Sequence, residues 1–286
     1  MAPIVVRPPR AVDPLYAWFF SKLLGLRGSL NVFYVGATET AQLKSDLRGG
    51  DIPSHVIDYT FDQHGIGGNR NIGLLLARGG NTLMIDDDVE CRIWRSPDGD
   101  DALAIAGHSD PRHWEFFETR EQAVGIGPVD VDFCGEHAKV LGLPLVDLLA
   151  DCDPVDWSGA CGHVPAALLD ESRTPIVRMS FAGLAGDSAR YCPHQLLFAS
   201  GPVHDAMAAD EHVFRMALSS REVRRIVRRP TVSHDWACMT YCVGIDLASY
   251  VPPFSPVGRN EDGLFGAMLG FADRDAMGRC RSDPSG

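Results

Sequence analysis

The sequence predicts an α/β fold with a largely parallel central sheet flanked by helices, on three observations. Strand-like and helix-like segments alternate over the first 95 residues. Glycine pairs, Gly49-Gly50 and Gly79-Gly80, close two of the helical segments. An apolar segment at residues 82–85 then runs straight into Asp86-Asp87-Asp88, and open α/β sheets bind their ligands beyond the carboxyl ends of such strands.

Each element has its own signal. Residues 4–7 form a short apolar strand ended by Pro8 and Pro9. Residues 13–26 suit a helix: Asp13 caps it, Pro14 fits the first turn, and Leu15, Trp18, Phe19, Leu23 and Leu26 recur at helical spacing. Residues 31–36 are β-rich, 40–47 suit a short helix, and 55–59 suit another strand. Gly65, Gly67 and Gly68 open a helix over about residues 69–78. Beyond Arg95 the pattern weakens. A turn-rich linker covers 96–101, mixed or helical segments 110–123 and 135–150, a strand 176–181, and an Arg-rich helix or strand 219–227. A Pro-rich loop covers 251–260, and a loose polar tail is expected from 271 to 286.

Bulk properties narrow the function classes. The chain has 286 residues and a formal net charge of -12, so nucleic acid and anionic lipid are disfavoured as partners. No apolar run is long enough for a membrane-spanning helix. Eight scattered Cys show no disulfide-scaffold spacing, which points to a reducing cytoplasm.

The aspartate cluster carries the chemistry. Three adjacent carboxylates repel one another, and Asp is a poor strand residue. A hard divalent cation, Mg²⁺ or Mn²⁺, would neutralise them and could bridge to a diphosphate. A solvated turn or helix cap is the ordinary alternative.

The order of motifs is more specific than the cluster alone. Gly68-Asn69-Arg70-Asn71-Ile72-Gly73, then Ala77-Arg78-Gly79, then Leu83-Met84-Ile85-Asp86-Asp87-Asp88-Val89 resembles the family 2-type glycosyltransferases of the GT-A fold over about 25 residues. There an Arg-Asn-x-Gly or Arg-Asn-x-Ala helix start precedes a Gly and an apolar strand ending in Asp-x-Asp. The resemblance implies a nucleotide-diphospho-sugar donor and a hydroxyl acceptor. It places Arg70, Asn71, Asp86 and Asp87 around the nucleotide, and Asp88 with Asp86 on the metal. Asn71 as a helix cap and Arg70 in a surface pair are the plain structural accounts. Thr38 and Glu39 stand where the family often carries an Asp for the base, and Asp58 is a further candidate for that contact.

Near the C-terminus, Glu261-Asp262 resembles the Glu-Asp element that follows the acceptor site in inverting members. Asp262 is then the general base on the acceptor hydroxyl, with Glu261 second; capping of a helix starting after Asn260 is compatible with that. His234 is the candidate extra metal ligand. The run Arg221, Arg224, Arg225, Arg228 and Arg229 reads as a solvated, salt-bridged face rather than a phosphate grip. The stretch 183–187 reads as a surface loop.

The expected organisation is a donor half at residues 1–95, an acceptor half at 96–270 and the tail. Rival classes are a nucleotidyltransferase-like phosphate enzyme, a degenerate glycosyltransferase-like binding protein, and a zinc site on Cys161, His163, Cys192 and His194.

Overall fold

The structure is a computed structural model. It describes residues 4–6, 32–62, 65–86, 88–93, 99–106, 113–125, 130–152, 154–157, 175–188, 201–233 and 240–278. The expected helix at 13–26 and the zinc candidates Cys161, His163, Cys192 and His194 lie outside them.

In chain order the elements are β1 (Ile4–Val6), β2 (Val32–Tyr34), α1 (Ala37–Leu47), α2 (Ser54–Thr60), α3 (Ile66–Leu76), β3 (Asn81–Ile85), β4 (Leu103–Ala106), β5 (His113–Phe117), α4 (Arg120–Ala123), α5 (Phe133–Val140) and α6 (Leu145–Ala150). Then follow β6 (Val155–Asp156), β7 (Met179–Phe181), β8 (Leu184–Asp187), α7 (Pro202–Ala209), α8 (Glu211–Ser219), β9 (Glu222–Ile226), β10 (Thr231–Ser233), β11 (Cys242–Asp246) and α9 (Glu261–Gly278). The chain is mixed α/β, with small sheets that are parallel in part. No helix among the described residues is long and apolar enough to cross a membrane.

Two compact units form. The first joins Met1–Thr82 to Asp246–Arg274; the second is chiefly Leu83–Ile245. The C-terminal segment with Glu261 and Asp262 thus belongs with the N-terminal elements, although the sequence places its division at residue 95.

In the first unit, β1 pairs in parallel with β2. Helix α1 starts where the Glu39 carboxylate accepts from the Gly36 amide at 2.8 Å, as a first-turn acid should. Val35, Ile57, Phe61 and Ile72 form its core, with Leu43, Leu47 and Leu75 against them. The strand expected at 55–59 is instead α2. Ile57 and Phe61 point inward at i, i+4 while Val56 and Tyr59 are exposed, and the amides of Val56 and Ile57 donate to the Pro53 carbonyl. That spacing belongs to a helix, and Pro53 starts it. Helix α3 begins earlier than expected, so Gly67 and Gly68 lie inside it. Where a loose tail is expected from 271, α9 runs on to Gly278, and residues 279–286 lie outside the described residues. Nothing from Phe271 to Met277 breaks a helix, and extending one costs little once it is nucleated.

In the second unit, β4 lies between β6 and β10 with parallel pairing on both sides. Strand β9 lies between β5 and β8, antiparallel to each. Strand β11 lies between β3 and β7 and runs antiparallel to β7. Phe116, Val203, Met207, Ala217 and Val223 form a core under α7 and α8. The residues expected as a loop at 183–187 contain strand β8, which Arg221 holds through Asp187 at 2.9 Å.

The arginine run is salt-bridged as expected at Arg221, Arg224 and Arg229, but it is not solvated throughout. Arg224 and Arg225 are buried. Arg224 donates to Glu115 at 2.6 Å and to the carbonyls of Gln122 and Ala123, with its guanidinium 4.8 Å from the Phe117 ring centroid. Arg225 lies 4.7 Å over Trp114. Arg229 reaches Asp156 and Asp100, each at 2.7 Å. Alternation along β9 turns Arg224 and Arg225 to opposite faces of a covered sheet, where aromatic faces and carbonyls replace water.

Candidate functional site

The aspartates stand where strand chemistry ends. Positive φ at Gly79, 82°, turns the chain after α3. Strand β3 then leads directly to Asp86, whose amide donates to the Tyr241 carbonyl at 2.9 Å. The Val89 amide returns to the Asp86 carbonyl at 3.3 Å, closing a turn that carries Asp88. Asp86 is half-buried and Asp88 exposed. Asp87 and His234 lie outside the described residues. Among the described residues no group of three or more His, Cys, Asp or Glu side chains stands ready to hold a metal ion. The two described carboxylates are a hard-oxygen set that suits a cation keeping several waters and phosphate oxygens as its other ligands.

In the first unit, Arg70, Asn71 and Glu261 come together, and Asp262 follows Glu261 at the start of α9. Arg70 forms an ion pair with Glu261, both side chains nearly buried. The Arg70 guanidinium lies 5.7 Å from the Phe254 ring centroid, and that ring stacks on Phe265 at 4.0 Å. Asn71 is neither cap nor surface residue. It is buried, and its amide nitrogen donates to the carbonyls of Thr60 at 2.8 Å and Phe254 at 2.9 Å. Its amide oxygen accepts from the Phe254 N–H at 2.7 Å. The pair of bonds to Phe254 reproduces one rung of a β-ladder with a side chain. Asp262 is half-buried and accepts from the Gly263 amide at 2.8 Å. Of the base-contact candidates, Glu39 caps α1, and Asp58 pairs with Arg48 at 2.5 Å.

A second arrangement went unsignalled in the sequence. His137 is buried, with Nδ1 2.8 Å from the Ser180 hydroxyl and Nε2 3.8 Å from the Cys242 sulfur. Burial holds the imidazole below its ordinary pKa. Burial first, then Cys91, Cys134 and Asp86, push the Cys242 thiol up to about 12. Neutral imidazole beside neutral thiol is a packed polar pair and not an activated nucleophile, which needs a lowered thiol pKa. An open groove between α8 and β5, lined by Phe116, Phe117, Glu118, Gln122, His212 and Met216, includes none of the aspartates or other candidate residues.

Comparison with protein-family models, curated proteins and solved structures finds no match for this chain.

Proposed function

We propose that this chain is a metal-assisted glycosyltransferase with a GT-A-like, mostly parallel sheet, working in the reducing cytoplasm. It moves a sugar from a nucleotide-diphospho-sugar to an acceptor hydroxyl. One observation carries this: helix α3, the Gly79 turn and strand β3 follow one another as the motif order requires, and the strand delivers Asp86 and Asp88 at its carboxyl end.

Asp86 and Asp88 would hold Mg²⁺ or Mn²⁺, which when bound offsets the charge on the departing diphosphate. Asp262 is assigned the base: its carboxylate takes the proton of the acceptor hydroxyl as the hydroxyl oxygen bonds to the anomeric carbon. The bond from that carbon to the diphosphate oxygen breaks, and the anomeric centre inverts.

Calorimetric titration of UDP- and GDP-sugars, with and without manganese, tests this on wild type and Asp88→Ala. Metal-dependent binding in wild type, lost in the variant, is the expected result. Folded wild type that binds no donor with metal present refutes the proposal, as does Asp88→Ala binding as tightly as wild type. Separately, intact turnover in Asp262→Asn removes that residue from the mechanism. Pyrophosphate released from a nucleoside triphosphate would mark a nucleotidyltransferase instead.

A further inference from the structure

Two consecutive residues of α3 grip both ends of one distant segment. Asn71 holds the backbone of Phe254 through its N–H and its carbonyl. Arg70 holds Glu261 and lies over the Phe254 ring. The helix surface beneath is cut to fit. A Cβ on Gly65 would stand 1.7 Å from the Pro256 carbonyl oxygen, and one on Gly67 would stand 1.9 Å from that of Ser255. The segment is thus held on α3 at residues 254–256 and again at Glu261, and Asp262 is the next residue.

A nucleotide contact needs a side chain with hydrogen-bonding capacity to offer. Asn71 is buried and already serves three backbone groups through both of its amide atoms. Arg70 has its charge matched by a nearly buried carboxylate. Breaking either set would strand polar groups away from water. Such groups hold a backbone in place; they do not wait for a ligand.

We propose that Arg70 and Asn71 are positioning residues that fix where Asp262 stands, and that they do not contact the donor. This rests on the reading of Asp262 as the base of a glycosyl transfer. A side chain acting through backbone placement affects the chemical step, because a misplacement of about 1 Å costs on the order of 10²-fold in rate.

The test compares wild type, Asn71→Ala, Arg70→Ala and Arg70→Lys by three readouts: donor affinity by calorimetry, kcat with saturating donor, and hydrogen exchange across residues 254–263. Asn71→Ala should speed exchange of the Phe254 amide by about tenfold or more. Protection of β9 should stay unchanged. Its kcat should fall by on the order of 10²-fold while donor affinity stays within about twofold of wild type. Arg70→Lys, which keeps the charge, should recover part of the kcat that Arg70→Ala loses. Donor affinity that falls in step with kcat overturns the proposal and makes these residues nucleotide contacts. Unchanged exchange across 254–263 overturns it too. Should Asn71→Ala fail to fold, the Arg70 pair supplies the same three readouts. Wild type that turns over no nucleotide-sugar sinks the glycosyl-transfer reading and Asp262's role with it, while the exchange data still decide whether the clamp exists.

Discussion

Replacing Gly67 by alanine sets two effects of opposite sign against each other. Inside an exposed helix, Gly→Ala stabilises by about 1 kcal/mol. Here the new Cβ would stand 1.9 Å from the Ser255 carbonyl oxygen and 3.3 Å from the Phe254 Cβ. Heavy atoms need roughly 3.5 Å, so α3 and the 254–256 backbone would have to part by well over an ångström. Overpacking of that kind costs about 1–3 kcal/mol. The same separation stretches both Asn71–Phe254 hydrogen bonds, now 2.9 and 2.7 Å, past bonding distance, and leaving a buried polar group unpaired costs about 1–3 kcal/mol. Steric loss wins, and the net destabilisation should be about 3 kcal/mol. Gly258 is the control: its φ is +88° and nothing lies within 4 Å of its added Cβ, so Gly258→Ala should show only the left-handed backbone penalty of about 1 kcal/mol. Urea unfolding followed by circular dichroism, with hydrogen exchange of α3 alongside, measures both variants even if the two units unfold in separate steps. Gly67→Ala that is as stable as wild type, or no worse than Gly258→Ala, would refute the packing account of this helix.

Two further outcomes follow from buried ionisable groups. Burial lowers the His137 pKa below its ordinary 6.5; the unfolded chain therefore binds more protons below that pH, and stability should drop as pH falls through about 6.5 and below. His113 shifts the same way, by burial and then Arg228, so His137→Gln should flatten the midpoint-versus-pH curve in part; an unchanged curve would contradict the buried neutral imidazole. Arg224→Ala should cost about 2–4 kcal/mol, because it takes the guanidinium from the Ala123 carbonyl and leaves Glu115 without its cation. Arg221→Ala, which breaks a half-exposed pair with Asp187, should cost under about 1 kcal/mol. Equal denaturation midpoints for the two variants would count against the buried-arginine account.

Local chemistry was readable where one pattern fitted one structure. The run Asn81–Ile85 ending at Asp86, the helix Ala37–Leu47 and the Pro-rich stretch before Asn260 all emerge close to their expected places. Residues 55–59 were not readable, because seven residues with a single deeply buried Ile57 satisfy a strand period as well as a helical one. Adjacent arginines suggest solvent in any linear reading; only the pairing of β9 with β5 brings Glu115, Trp114 and Phe117 to them. Phe254 and Glu261, the partners of Asn71 and Arg70 on the facing segment, lie 183 and 191 residues away, and no local window contains them.

That separation divides the 25-residue resemblance into two parts with different physical causes. In its first part, Gly68, Arg70 and Asn71 are all demanded by packing: one close backbone approach, one nearly buried ion pair and one side-chain ladder rung. Any chain that lays such a helix on such a segment would need similar residues, whatever its chemistry. Packing makes no comparable demand on Asp88. Asp88 is exposed on a turn, where almost any polar residue would serve, and a carboxylate two positions from another at a strand end adds repulsion that the fold does not require. The residue types that stability leaves unexplained are the ones that bear on function, so the proposed glycosyl transfer stands or falls with the aspartates and not with the glycine-rich helix that precedes them.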